Sequence, residues 1–211
     1  MSELINQDIS DLATSNKEQE FISTVLQTEL DAFADMMDSL AGFPFVGFLI
    51  KCGMIGKRYL DFRFVKKIAR FLSKEQDIPI EKKIQFLDSL TPKQRKKISD
   101  YVTHYLFHAE DDEKADIMGI LYRSRVLEEI DDEMFLRLCS IVDKAFISDL
   151  KALPQFIEEN RENSIETQSF INLGLIDNNL GGLWQGYPKT ELNGIGKKLY
   201  EILNSVGWFE S

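Results

Sequence analysis

SLAGFPFVGFLIKCGMIGKRYLDFRFVKKIARFLSK, residues 39–74, passes from an almost charge-free apolar run directly into a cationic amphipathic segment. The twelve residues from Ser39 to Ile50 carry no charge, and from Ala41 to Gly56 only Lys51 does. A helix needs about 20 apolar residues to cross the hydrocarbon core of a bilayer, so this run is too short to span comfortably. Gly42, Gly47, Gly53 and Gly56, with Pro44 near the start, suit a bent, tightly packed or re-entrant element better than a long regular helix.

The second half of the stretch has helical periodicity. Leu60, Phe64, Ile68, Phe71 and Leu72 fall along one face, and Arg63, Lys66, Lys67, Arg70 and Lys74 along another. Eight basic residues between Lys51 and Lys74 meet one acid, Asp61. Two readings follow. The apolar residues form a bundle core and the cations fold against acids elsewhere in the chain. Alternatively, the pair is an outward docking device, with Phe45, Phe48, Leu49 and Ile50 buried in a membrane or partner and Arg63, Lys66, Lys67 and Arg70 holding anionic head groups.

Charge over the whole chain leaves both open. The net charge is −10, yet residues 51–97 hold 14 Lys or Arg against 5 Asp or Glu, and residues 1–50 hold one lysine against nine acids. An acidic protein is a poor non-specific nucleic-acid binder, although a concentrated basic block can still meet a phosphate surface. The expected partners are therefore an anionic membrane surface or a second copy in a homo-oligomer, then another protein, with nucleic acid behind them. The N-terminal MSELINQDISDLATSNKEQE is acidic and polar, unlike a signal peptide, which predicts a cytoplasmic protein, peripheral on the inner membrane face if it docks there. Cys52 and Cys139 lie in apolar surroundings and read as reduced core residues.

The remaining punctuation is mostly helical. Ser15 with Glu18 makes a capping-box pattern ahead of an amphipathic helix, Thr91-Pro92-Lys93-Gln94 makes a second, and Asp111 or Asp112 starts another helix. Helices are expected at 79–90, 92–109, 112–129 and 132–152, the last carrying Phe135, Leu138, Cys139, Val142 and Phe146 on its core stripe. Pro154 breaks or kinks the chain. The expected organisation is an acidic tail over 1–16, a helical domain over 17–160 and a distinct unit over 161–211.

Chemistry-bearing patterns are few. No glycine-rich phosphate loop and no Cys-x-x-Cys pair occurs. His104 and His108, the only histidines, share one side of a helix at i, i+4, but Tyr105 stands where an HExxH protease carries its glutamate. They read ordinarily as partly exposed histidines near a helix C-terminus, which the macrodipole favours. Neither a metal nor a cofactor is assigned, and the expectation leans away from an enzyme. Tyr122-Arg123-Ser124-Arg125 reads as a solvated helix face rather than a phosphate contact.

In the last fifty residues, glycines at 174, 181, 182, 186, 194, 196 and 207 separate short β-capable runs from a final helix. Leu173-Gly174-Leu175-Ile176, Gly181-Gly182, the run from Tyr187 to Leu192, and Asn193 as an N-cap resemble the closing part of a winged-helix domain: helix exit, wing tip, returning strand and last helix. With the helices above, the expected fold is mainly α, a multi-helix bundle, to which the resemblance adds a small C-terminal winged-helix-like unit carrying a β-hairpin. DNA-reading winged helices are basic here, whereas residues 161–211 hold four basic and six acidic groups, which favours a protein-contact role. Residues 40–155, with KKIARFL and the helices of DEKADIMGILYRSRVLEEIDDEMFLRLCSIVDKAF, resemble small helical bacterial or prophage proteins of abortive infection and phage defence. That likeness implies a non-catalytic effector or regulator. The function expected is thus a non-enzymatic interaction protein acting through residues 41–74, with a winged-helix regulator of DNA or a protein partner as the alternative.

Overall fold

A computed structural model describes residues 62–159, 165–176 and 191–210. Phe45, Phe48, Leu49 and Ile50, the Ser15–Glu18 cap and the wing tip lie outside the described residues. The chain divides into two compact units, Met1–Asp132 and Glu133–Ser211. The boundary expected at 160 falls at residues that are not described.

In the first unit, α1 (Phe62–Ser73), α2 (Ile80–Ser89) and α3 (Pro92–His108) all pack on α4 (Asp112–Val126). The starts of α3 and α4 follow from local chemistry. The Thr91 hydroxyl accepts from the Gln94 amide, and the Gln94 side chain accepts from the Thr91 amide in return. With Pro92 at the first helical position, this is the reciprocal cap the sequence predicts. Asp111 caps α4, its carboxylate accepting from the Glu113 amide at 3.0 Å. The end of α4 comes at Val126, earlier than the expected 129, because Glu128 takes a left-handed conformation with φ of 63°.

Helix α4 is the centre of this unit and is buried almost all round, from Lys114 to Tyr122 without interruption. Its Tyr122 ring lies 5.3 Å from Phe71 of α1 and edge-on to Phe86 of α2 at 6.1 Å. Ile68, Ala69 and Leu72 of α1 and Ile98, Val102 and Leu106 of α3 complete the core. The crossing of α1 over α4 depends on Gly119. A Cβ there would sit 2.4 Å from the Phe71 carbonyl oxygen, so any larger residue forces the two backbones apart.

The second unit contains α5 (Asp132–Lys144), α6 (Ile147–Lys151), α7 (Leu153–Glu159), α8 (Ile165–Asn172), α9 (Gly194–Ser205) and a short 3-10 turn, Trp208–Glu210. One helix was expected over 132–152, but the chain breaks after Lys144. Phe146 adopts an extended conformation as the N-cap of α6 and is 73% exposed, so it leaves the core stripe that Phe135, Leu138, Cys139 and Val142 keep. Pro154 sits in the first turn of α7, where its missing N–H is not needed by the helix. Phe156 meets Phe170 of α8 edge-on at 5.3 Å, and the Ser169 hydroxyl of α8 donates to Asp149 of α6.

The fold is mainly α-helical. Among the described residues there is no strand, and the expected β-hairpin is represented only by one antiparallel bridge, Ile176 to Leu192. The rest of the expected hairpin, residues 177–190, lies outside the described residues. At the edge of the bridge Asn193 caps α9 as expected, its side-chain oxygen accepting from the amides of Ile195 and Gly196. The same side chain donates to the Gly174 carbonyl at 2.9 Å, which ties the start of α9 to the exit of α8.

Candidate interaction surface

The cations of α1 occupy a corner formed by the end of α3 and the start of α4. Lys66 lies 3.0 Å from Asp112 in the first turn of α4. Lys67, almost fully buried, donates to the carbonyl of Ala109, the C-cap residue of α3. Arg70 grips Asp116 with two guanidinium nitrogens, Nε at 3.2 Å and Nη2 in closer contact. Lys74 reaches the same carboxylate at 3.3 Å. Asp116 is almost buried, so the two cations converge on a carboxylate that water hardly reaches.

Lys66, Lys67 and Arg70, which the spacing assigns to head groups, therefore have partners inside the chain. To hold a lipid phosphate they would have to surrender acids or a helix-end carbonyl already in place. Arg63 lies on α1, in its first turn. Ile68 and Phe71, on the apolar face, are fully buried.

Helix α3 has the opposite disposition. Ile98, Val102, Tyr105 and Leu106 point into the core. Its other face carries Lys93, Lys96, Lys97, Tyr101, His104, Phe107 and His108, all exposed, with Phe107 at 63% and Tyr101 at 42%. Lys97 sits 6.0 Å from the Tyr101 ring centroid, and Lys96 pairs with Asp100 in solvent at 2.6 Å. Among the described residues Lys93 has no ion pair. Lys93 lies in the first turn, the positive end of the helix dipole, where a cation costs a few tenths of a kcal/mol. The first turn contains no acid to offset it. Sequence reading placed a helix over 92–109 yet missed this face, because it counted Lys93 to Lys97 with the basic block of residues 51–97 and weighed His104 and His108 only as ligands.

His104 and His108 are brought together at the far end of the same face, their ring centroids 4.5 Å apart. No group of three or more metal-ligating side chains occurs among the described residues. The Tyr122–Arg125 run is not a solvated face. Tyr122 and Ser124 are buried, Arg123 holds Asp77 at 2.7 Å, and Arg125 holds Asp132 at 2.6 Å while lying over the Phe86 ring. The Arg123 hydrogen bond keeps the Asp77 carboxyl below its ordinary range, and Asp77 in turn raises the guanidinium. Cys139 is a free, fully buried thiol that burial pushes far above its ordinary pKa, so it is inert as a nucleophile.

No helix among the described residues is long and apolar enough to cross a membrane. Comparison with known proteins returns no matching family model, curated protein or solved structure.

Proposed function

We propose that this chain is a non-enzymatic interaction protein that docks peripherally on an anionic membrane surface through the outer face of α3, together with the uncharged run 41–50. The observation that carries this reading is the exposed combination of Lys93, Lys96 and Lys97 with Tyr101 and Phe107 on a helix whose other face is committed to the core. Each lysine near an anionic leaflet contributes about 1 kcal/mol, and a nearby anion also relieves the unfavourable position of Lys93 at the helix start. The aromatic rings add interfacial burial. In this reading Phe45, Phe48, Leu49 and Ile50 supply the apolar contact, while Lys66, Lys67 and Arg70 hold α1 to α4 rather than lipid. The cytosolic side of an inner membrane suits such a surface, and a phage-defence effector or regulator is a setting consistent with it, resting only on the likeness of residues 40–155.

Vesicle flotation tests the proposal. The full chain should float with vesicles containing phosphatidylglycerol at low salt, be released at high salt, and lose most of its binding on Lys93→Glu/Lys97→Glu. Binding that ignores lipid charge and this double substitution removes the electrostatic contact. Sedimentation velocity on the same samples distinguishes self-association, in which the chain forms oligomers without lipid.

A second reading has one observation in its favour. The Ile176–Leu192 bridge, with Asn193 capping the helix after it, is the closure a winged-helix-like regulator would have around residues 177–190. If that unit binds DNA, a gel shift should weaken steeply with salt, because displaced counterions scale with the phosphates contacted.

A further inference from the structure

We infer that His104 and His108 form an exposed two-imidazole chelating site for a divalent transition-metal ion, Zn2+ or Cu2+. This goes beyond the docking reading and does not depend on it. The two residues are one helical turn apart on α3, both are exposed, and their rings stand 4.5 Å apart. At that separation one ion can be reached by a nitrogen from each ring with only small rotations about the side-chain bonds.

The scaffold under the pair is held at both ends. The Thr91–Gln94 reciprocal cap fixes the start of α3, and the buried Lys67 ammonium bonds to the carbonyl of Ala109, the residue after His108. The flanking rings restrict the imidazoles as well. Tyr105, buried, stands edge-on to His104 at 5.6 Å, and Phe107 stands edge-on to His108 at 5.3 Å. A chelate built on a fixed helix loses little conformational entropy on binding, which is the main cost of assembling ligands from a flexible chain. The C-terminal turn of a helix also presents partial negative charge, which favours a cation at His108.

The donor set determines the class of ion. Imidazole nitrogen suits Cu2+ and Zn2+, whereas Mg2+ and Ca2+ require oxygen ligands. With no third ligand supplied among the described residues, the ion keeps water at its other positions and stays open to a ligand from outside.

Calorimetric titration of the full, untagged chain with ZnCl2 and with CuSO4 tests the site. One ion per chain should bind, and His104→Ala and His108→Ala should each weaken binding at least tenfold. Electron paramagnetic resonance of the Cu2+-loaded chain should show two coordinated imidazole nitrogens, falling to one in either variant. At the same Zn2+ concentration the melting temperature of the wild-type chain should rise by more than that of either variant. Equal affinity in wild type and variants, equally tight Mg2+ binding, or a single nitrogen in the wild-type spectrum would each overturn the assignment. Both side chains are exposed, so circular dichroism should find the variants as helical as the parent.

Discussion

Helices α1 and α3 carry much the same chemistry, lysines and arginines interleaved with aromatic residues at helical spacing, and the structure uses them in opposite ways. Lys66, Lys67 and Arg70 on α1, and Lys74 just past its end, face the start of α4 and the end of α3, where Asp112, Asp116 and the Ala109 carbonyl await them. On α3, Lys93, Lys96 and Lys97 face solvent, with Asp100 as an exposed neighbour. The difference teaches that a cationic amphipathic segment is defined as a docking surface or a structural one by what stands opposite it. Composition and periodicity do not distinguish the two cases.

The comparison is most sharply tested on its aromatic residues. Phe71→Ala, on the buried face of α1, should destabilise the chain by about 3–5 kcal/mol, since it removes a fully buried ring beside Tyr122. Phe107→Ala, on the outer face of α3, should change stability by no more than about 0.5 kcal/mol. Urea denaturation of the two variants side by side measures this, and comparable losses would mean that α3 has no free face.

A smaller effect is expected at the ionic corner. Asp116→Ala leaves Arg70 and Lys74 facing each other without their shared carboxylate, at a cost of about 2–3 kcal/mol given their partial exposure. A loss below about 0.5 kcal/mol in the same denaturation assay would show that the α1 cations are not committed to α4, and would return them to the candidates for head-group binding.

The smallest effect belongs to Asp77 and Arg123, a pair with one exposed partner. Hydrogen bonding to Arg123 lowers the Asp77 pKa in the folded chain, so its stabilising contribution is present above the ordinary value of 3.8 and is lost as pH falls through the folded value. Asp77→Asn should therefore cost about 0.5 kcal/mol at pH 7 and almost nothing once the wild-type carboxyl is protonated. Melting curves across that acid range should converge. A gap that persists at low pH would assign the effect to packing rather than to charge.

Much of the helical framework was legible because it is specified locally. Thr91 to Gln94 contains both halves of a reciprocal cap within four residues, Asp111 caps α4 from the adjacent position, and Asn193 does the same for α9. The break at Phe146 was not legible. Phe146 continues the stripe of Phe135, Leu138 and Val142 at helical spacing, and nothing nearby in sequence announces the turn. The candidate surface was half legible: His104 and His108 share a side by spacing alone, whereas the lysines of α3 were counted with the longer basic block, and only packing shows which cations of that block stay exposed.

What the sequence determined by itself is the mainly helical class, the starts of α3, α4 and α9 and the presence of a basic, aromatic-rich block, all consequences of interactions within one or two turns. Which cations remain available to a partner was decided only by the tertiary structure. A charge is neutralised by whatever carboxylate lies within a few ångströms, and Arg70 and Asp116 are 46 residues apart along the chain until α1 packs across α4 at Gly119.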